Sequence, residues 1–277
     1  MKKNFIGTII LATVSIILSS FVHCQNAVNY ENYLKSLPYQ LKPDDRTPQV
    51  YVMTADYNDY DLFGNFIKKS RVSGECTLLK DGYVKWNNVT SSHSQNLNEP
   101  YPDGEKQNFM ENFTYHPSSG VLNDSFFNKI PRADIFEKNL IWDMTMFEAF
   151  AWYKWDSLQL NTDFLAKDMN AEIKMPGVGT FENKGIRITW TGITKTNGKL
   201  CAIIKYMAMN NPLTMSYQNF TIKGRSHYWG NIYVSLSDKQ IEYADLYEDV
   251  LLDIKTDGQV SGYKTNTVRN ITLKKIR

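Results

Sequence analysis

The sequence predicts a mainly β fold, in which an antiparallel meander sheet curls into a half-barrel or barrel-like form and one long buried helix packs against it. Between residues 185 and 277, alternating or apolar runs are separated by hairpin signals such as Asn197-Gly198. One further segment, 132–154, has helical periodicity. The chain of 277 residues is 42% hydrophobic and 13% aromatic, which is enough for a sizeable core.

The first 24 residues predict a secretory signal peptide. Two lysines precede an uncharged apolar run over residues 5–22, which is the pattern of a signal sequence. Val22 and Cys24 fit positions −3 and −1 of a cleavage site before Gln25. The protein is therefore expected in a secreted, periplasmic or extracellular location, with no membrane-spanning segment after cleavage.

Two alternatives for this N-terminus stay open. The apolar run is long enough to remain as an uncleaved anchor. Lipidation of Cys24 would anchor the mature chain instead, although His23 is a poor fit to the small residue that this modification needs. The polar residues that follow position 24 favour cleavage.

The mature chain is predicted to have an N-terminal arm over 25–48, followed by one β-rich domain over 49–277. The arm is polar and contains three prolines. The domain divides into parts identified by their local patterns: a first β region over 50–89, a long loop over 90–131, the helix over 132–154, and the C-terminal meander over 185–277.

Within the meander, two features set the predicted strand order. Residues 200–209 are apolar on both faces, which is typical of a central strand. Asn210-Asn211-Pro212 predicts a turn into the next strand. Consecutive hairpins of this kind give one antiparallel sheet, and strands of this length tend to curl.

Two cysteines remain after the signal, Cys76 and Cys201. In an oxidising compartment they could form one structural disulfide. The alternative is two separate buried thiols, because free cysteine is often a core residue. Neither lies in a C-x-x-C motif, so a redox role is not indicated.

The predicted helix has polar residues on its apolar side. Asn139 and Asp143 are four positions apart and share that side. A buried carboxylate needs a donor, so Asp143 is expected either to pair with a sheet residue such as Arg187 or Arg225, or to provide, with Asn139, the polar contacts of a ligand cavity between helix and sheet. A third interpretation is general acid chemistry at Asp143.

Five aromatic or polar residues extend this candidate ligand-binding set. Trp152 falls on the polar edge of the helix, where an exposed tryptophan would indicate a contact surface. His227, Trp229, Asn231 and Tyr233 alternate onto one face of their strand. That face suits either a ligand-facing concave surface or a packed second layer.

Several functions are disfavoured. The net charge is +2 without a basic stripe, so nucleic acid is not an expected partner. The sequence contains no zinc-protease, nucleophile-elbow, P-loop or dinucleotide motif, and it has only three scattered histidines after the signal. We therefore assign no catalytic residue, no metal site and no cofactor.

The sequence favours an exported, non-enzymatic binding or envelope protein, which could hold a small apolar ligand between helix and sheet or contact an envelope or extracellular partner. A secreted hydrolase using carboxylates such as Asp143 and Glu148 is one alternative. A surface-assembly or structural protein is the other.

Overall fold

The computed structural model describes most of the chain after residue 47. The described ranges are 48–130, 134–175, 179–217, 219–256 and 262–276. The predicted signal peptide over 1–24 and all but the last residue of the arm over 25–48 lie outside them. The described part of the chain contains no helix with both the length and the hydrophobicity that crossing a bilayer requires.

The described residues form one large antiparallel sheet and one α-helix. About 60% of the structure is strand, and the 13-stranded sheet is curled without closing into a barrel. The strands are β1 Gln49–Asp61, β2 Phe66–Leu78, β3 Val84–Ser94, β4 Glu105–Lys106, β5 Phe113–Tyr115, β6 Asp163–Leu165, β7 Ala171–Met175, β8 Gly179–Asn183, β9 Arg187–Thr196, β10 Lys199–Tyr217, β11 Phe220–Ser235, β12 Ile241–Thr256 and β13 Tyr263–Lys275. The mainly β prediction, with a curled sheet and one packed helix, is confirmed.

The first β region and the C-terminal meander belong to the same sheet. The strand order is β4-β3-β2-β1-β13-β12-β11-β10-β8-β7, with β5 on β3, β9 on β10 and β6 on β9. The join is the pairing of β1 with β13, which runs without a register shift from Tyr51 opposite Lys275 to Asp61 opposite Thr265. The last strand therefore lies between the first strand and β12.

The strand β10 passes through the segment for which the sequence predicts a turn. That prediction is wrong, because β10 continues through Asn211 and Pro212 with a shift in register between Ala208 and Asn211. The Asn211 side chain is buried, donates to the Ala208 carbonyl (3.1 Å) and accepts from the Lys184 amide (3.0 Å). The residues predicted to form a turn therefore form a β-bulge within β10.

The helix α1 spans Ile135–Ala151, shorter at both ends than the predicted 132–154. Its first turn is closed by a capping box, in which the Asp134 side chain accepts from the Glu137 amide and the Glu137 side chain accepts from the Asp134 amide (2.8 Å). Asp134 also accepts from the Ile135 amide (2.6 Å). The capping bond gives the buried Glu137 carboxylate a donor. At the other end, the backbone of Trp152 leaves the helical conformation (φ −118°, ψ 6°), and that of Lys154 is left-handed (φ 42°).

The core lies between α1 and the inner face of the sheet. Period-2 alternation buries one face of each long strand, as in Tyr51, Met53 and Ala55 of β1. One flank of α1 is fully packed against this face, and its residues include Phe147, whose ring lies 6.4 Å from that of Tyr206 on β10. The wide apolar side of the helix is therefore explained in part by direct packing.

One glycine allows the sheet to pack closely under the helix. A β-carbon at Gly230 in β11 would lie 2.1 Å from the Asp245 carbonyl oxygen and 2.5 Å from the Tyr206 hydroxyl. In its absence the Tyr206 hydroxyl donates to that same carbonyl (2.7 Å). The sequence therefore places glycine where two strands and a tyrosine converge.

Candidate functional site

A cavity of about 450 Å³, partly open to solvent, lies between α1 and the inner face of the sheet. The flank of α1 that lines it is adjacent to the packed flank and includes Ile135, Asn139, Trp142 and Met146. The helix thus has two apolar sides, one packed on the sheet and one facing open space. This arrangement accounts for an apolar surface wider than a simple amphipathic helix needs.

The wall of the cavity is predominantly apolar and aromatic. It is contributed by α1, by strands β1, β7, β8, β10, β11, β12 and β13, and by the short segments that contain Leu122 and Met169. The apolar and aromatic lining residues are Tyr57, Leu122, Ile135, Phe136, Trp142, Met146, Ala149, Phe150, Met169, Ala171, Ile173, Phe181, Leu213, Met215, Tyr228, Leu246, Val250 and Leu252.

A buried group of charged side chains forms one part of the wall, and we call it the cavity triad: Asp143, Glu248 and Arg269. The Arg269 guanidinium donates through Nη2 to Asp143 Oδ2 (2.6 Å) and through Nη1 to Glu248 Oε2. The other oxygen of Glu248 accepts from the Ser226 hydroxyl. One cation therefore joins a carboxylate of the helix to a carboxylate of the sheet.

Tyr57 of β1 completes this polar wall. Its ring lies 4.9 Å from the guanidinium carbon of Arg269, in cation–π contact. Its hydroxyl accepts from the Asn139 side-chain amide at 3.1 Å. Asn139 and Asp143, one helical turn apart, thus contact Tyr57 and Arg269, which are paired across β1 and β13.

Burial changes the ionisation of the triad and its neighbour. It raises the pKa of Asp143 to about 6; the charge of Glu248 acts in the same direction, and Arg269 opposes it. Burial also raises the pKa of Tyr57 to about 12. The pKa of Arg269 is held well above its usual range by the two carboxylates, although burial opposes this. With both carboxylates ionised, the triad has one more negative than positive charge.

A third carboxylate, Asp59, lines the cavity next to the triad. It accepts from the Thr267 hydroxyl (2.6 Å), and its other oxygen lies 3.7 Å from the Lys68 ammonium group. Lys68 is about half exposed and is not a lining residue. Asp59 therefore marks the more solvated side of the polar wall.

The structure places Asn139 and Asp143 in the predicted cavity, but the arginine partner is a residue that sequence reasoning missed. Arg187 pairs with Asp163 (3.3 Å) and Arg225 with Asp249 (3.0 Å), both away from the cavity. Their strand positions alternate onto the outer face of the sheet.

The sequence contains a pattern that could have identified Arg269 as the partner of Asp143. Arg269 shares its strand parity with Ile271 and Leu273, which are buried. Glu248 likewise shares parity with Ala244 and Leu246 on β12. A charge of each sign on the apolar face of a predicted strand indicates a buried pair.

Trp152 does not form the exposed contact surface that its position on the helix predicted. It caps α1, is partly buried, and donates through Nε1 to the Lys239 carbonyl in the β11–β12 turn at 2.7 Å. It is not among the described lining residues of the cavity. Its indole N–H instead links the C-terminal end of α1 to the β11–β12 hairpin through this hydrogen bond.

The predicted polar-aromatic face of β11 is the outer face of the sheet. His227, Trp229, Asn231 and Tyr233 alternate with buried residues such as Tyr228, which does line the cavity. The four therefore neither face the cavity nor lie beneath a second layer in the described structure. The seven predicted ligand-binding residues do not form one site.

The outer face has its own side-chain contacts. Trp229 stacks on Tyr247 of β12 with ring centroids 6.3 Å apart, and Asn231 donates to Asp245 through its side chain (3.3 Å). Tyr233 packs edge-on against Tyr243. These contacts link β11 to β12 across the strand pair.

Cys76 and Cys201 are both free and buried, so of the two alternatives left open by the sequence the structure has two separate thiols and no disulfide between them. Four strands lie between β2 and β10 in the sheet. Cys76 Sγ lies 3.7 Å from Met144 Sδ in the core, whereas Cys201 Sγ contacts the Lys199 carbonyl. Burial raises the pKa of both thiols, most strongly that of Cys76, which makes them unreactive.

Comparisons with known proteins place the chain in no established family. No protein-family model matches the sequence, and no curated protein matches it. Among solved structures, the chain is weakly similar to a DUF1329 family protein from Desulfovibrio piger. The identity is 9%, 83% of this chain and 87% of that chain are covered, and the TM-score is 0.15. A TM-score this low does not establish a common fold.

Proposed function

We propose that this chain is an exported, non-enzymatic binding protein that holds an apolar ligand in the cavity between α1 and the inner face of the sheet. The observation that carries the proposal is the cavity itself, whose volume of about 450 Å³ lies within the range of small-molecule sites. A well-packed core has few voids larger than a water molecule. A space of this size with a mostly apolar wall is therefore suited to a small apolar ligand.

The distribution of polar groups supports the same function. Binding sites for small molecules combine a mostly apolar wall with a few fixed polar groups that orient the ligand. Here the cavity triad and Tyr57 lie together on one part of the wall, and each is held by partners on another element. Such a site is pre-organised, since its polar groups keep their positions without a ligand.

The hydrolase alternative has less support. A general acid must be able to deliver its proton to a substrate, and Asp143 is tied to Arg269 by a 2.6 Å hydrogen bond. Glu148 lies five positions further along the helix, roughly 140° around its axis. It is not among the described residues that line the cavity, so the two carboxylates do not face one substrate.

Export is supported by the N-terminal pattern. A positively charged start, an uncharged apolar run and a polar sequence after Cys24 are the three parts of a cleavable signal. A binding protein of this kind would act in the periplasm or the extracellular space. Its apolar ligand would be poorly soluble there and would gain from a protein carrier.

One observation also favours a surface-assembly role. The stacked pair Trp229 and Tyr247 is 38% and 42% exposed on the outer face. Exposed aromatic pairs of this type are enriched at protein interfaces. We expect the double variant Trp229→Ser, Tyr247→Ser to leave cavity binding unchanged and to abolish any self-association detected by sedimentation of the wild type; a wild type that is monomeric at all concentrations would count against this role.

Titration with a neutral fluorescent probe tests the binding function. The mature chain is titrated with N-phenyl-1-naphthylamine, whose emission rises in apolar surroundings. We expect saturable binding at one site. The variant Ala149→Trp should weaken that binding about tenfold or more, because Ala149 is an exposed lining residue and its replacement can fill the cavity without disturbing the packed flank.

The matched control places the same side chain elsewhere on the surface. Thr191 is exposed on β9 and is not among the lining residues, so Thr191→Trp should bind the probe as the wild type does. Binding that does not saturate, or an Ala149→Trp variant that binds as tightly as Thr191→Trp, would contradict the proposed function.

A further inference from the structure

The charged groups that line the cavity are mostly negative. Three carboxylates, Asp59, Asp143 and Glu248, face one guanidinium, Arg269, and the described lining residues include no lysine or histidine. The formal balance is −2. Asp59 is partly compensated by Lys68 outside the cavity, at 3.7 Å, but the more deeply buried triad keeps an excess of one negative charge.

The single cation of the wall is already engaged. Both terminal nitrogens of Arg269 donate to carboxylates, so neither can pair with an acidic ligand without breaking an ion pair in the core. Arg269 Nε is buried without a hydrogen-bond partner in the described structure. One N–H flanked by two carboxylates can accommodate a neutral acceptor but does not reverse the charge of the wall.

An unused acceptor lies on the same wall. Arg269 contacts Oδ2 of Asp143, and no described residue donates to Oδ1. The Asp143 side chain lines the cavity, so Oδ1 can receive a hydrogen bond from a ligand. A protonated amine supplies the donors and the positive charge that this oxygen requires.

The aromatic residues of the wall add to this preference. Tyr57, Phe136, Trp142 and Tyr228 all line the cavity. The face of an aromatic ring attracts a cation and repels an anion, most effectively where water is excluded. Apolar walls of this composition therefore favour an organic cation over an anion of the same shape.

From these contacts we infer that the cavity selects lipophilic amines over lipophilic acids, with the protonated amine placed against Asp143 and the apolar tail along the α1 flank. This inference rests on the proposed function and adds the chemical class of the ligand. The amine forms a hydrogen bond and an ion pair at Asp143, whereas a carboxylate would meet two carboxylates without a free cation.

A matched series of ligands tests the inference. Dodecylamine, dodecanol and dodecanoate share one tail and carry a positive, a neutral and a negative head group at pH 7.5. Each displaces N-phenyl-1-naphthylamine from the wild-type chain, below the concentration at which it forms micelles. We expect dodecylamine to displace the probe at a concentration at least tenfold lower than dodecanoate, with dodecanol between them.

Two variants test whether Asp143 causes the preference for the amine over the acid. Asp143→Asn removes the proposed ion pair, so the ratio between amine and acid should fall to within about threefold. Asp249→Asn removes a carboxylate from the outer face of the same sheet, where it pairs with Arg225, and should leave the ratio unchanged. If Asp143→Asn does not fold, the wild-type ratio alone still decides the inference.

The possible outcomes distinguish the preference for amines from the proposed binding function on which it rests. Probe binding with dodecanoate displacing as well as dodecylamine would overturn the charge selection and leave a cavity-binding protein. Probe binding that no dodecyl ligand reverses, or the absence of probe binding, would overturn both. A dodecylamine preference that persists in Ala149→Trp would place the amine outside the cavity and also overturn the inference.

Discussion

At the scale of single residues, the most informative feature is a guanidinium that holds two buried carboxylates. Arg269, Asp143 and Glu248 are each less than 10% exposed, so the desolvation of three charges is offset by their mutual contacts, by the Ser226 hydroxyl and by the Tyr57 ring. Removing one partner of such a group leaves an uncompensated charge in the core, whereas the intact group adds little net stability. Its main contribution is to fix which part of α1 faces which strands.

Loss of the cation should be far more damaging than loss of an exposed one. We expect Arg269→Met to lower the free energy of unfolding by about 3–5 kcal/mol, because Asp143 and Glu248 are then buried without a counter-charge. Arg225→Met breaks a partly exposed pair and should change it by less than about 1 kcal/mol. Urea denaturation of both variants gives the comparison; equal effects would show that the triad is not desolvated.

The free energy of unfolding should change with pH as Asp143 ionises. Its pKa in the folded chain, about 6, lies above the ordinary aspartate value of 3.8, so the folded chain binds more protons than the unfolded chain between these pH values. The resulting stability is fully present below about pH 4 and is lost as the pH rises through 6. From pH 7.5 to pH 5, this carboxyl should stabilise the wild type by about 1 kcal/mol relative to Asp143→Asn.

Urea unfolding at the two pH values measures this difference. Asp249→Asn, on the outer face, should keep the wild-type pH dependence and serves as the control for the loss of a carboxylate. An Asp143→Asn variant with the same pH dependence as the wild type would show that Asp143 titrates normally.

At the scale of elements, close strand approach depends on a glycine on the inner face of β11. We expect Gly230→Ala to lower the free energy of unfolding by about 1–3 kcal/mol, because the new β-carbon would meet the Asp245 carbonyl oxygen at 2.1 Å. The matched change Gly192→Ala on β9 adds the same methyl group where no atom lies within 4 Å, and it should be close to neutral or stabilising. Thermal unfolding distinguishes the two; a neutral Gly230→Ala would mean that the strands can separate at no cost.

The elements also show which parts of the sequence were predictive. Alternation and hairpin signals identified β9, β12, β13 and the side of α1 that is buried, because these patterns are local, but they misplaced the end of β10. The bulge at Asn211 was not predicted, since its buried amide is satisfied by the backbone of Lys184 in the connection between β8 and β9. The partner of Asp143 was missed for the same reason: Arg269 lies 126 positions away, and only the packing of α1 on the sheet brings the two together.

At the scale of the whole molecule, the cavity and the predicted N-terminal signal are the two features on which the proposed function rests. The sequence predicted a gap between helix and sheet, and the structure contains one with Asn139 and Asp143 on its wall. The residues of β11 predicted to join them face outward, because a strand alternates and the aromatic pattern alone does not show which face is concave.

The proposed export predicts which residue begins the mature chain. We expect N-terminal sequencing of the protein recovered from outside the cytosol to begin at Gln25, since Val22 and Cys24 fit the cleavage site. Export followed by this cut leaves Cys76 and Cys201 as the remaining thiols. Intact-mass measurement is the control: a mass that includes residues 1–24, or a lipid on Cys24, would contradict cleavage at this position.

The position of β13 between β1 and β12 has a consequence for how the chain acquires its structure. Until residues 263–275 have been made, the first three strands and the strands of the meander have no partner that joins them, and each group has an unpaired edge. Contacts of such long sequence separation slow folding. A chain that cannot complete its sheet before its last strand emerges stays open during synthesis, and this delay would suit the export that we propose, in which a polypeptide crosses a translocation channel before it folds.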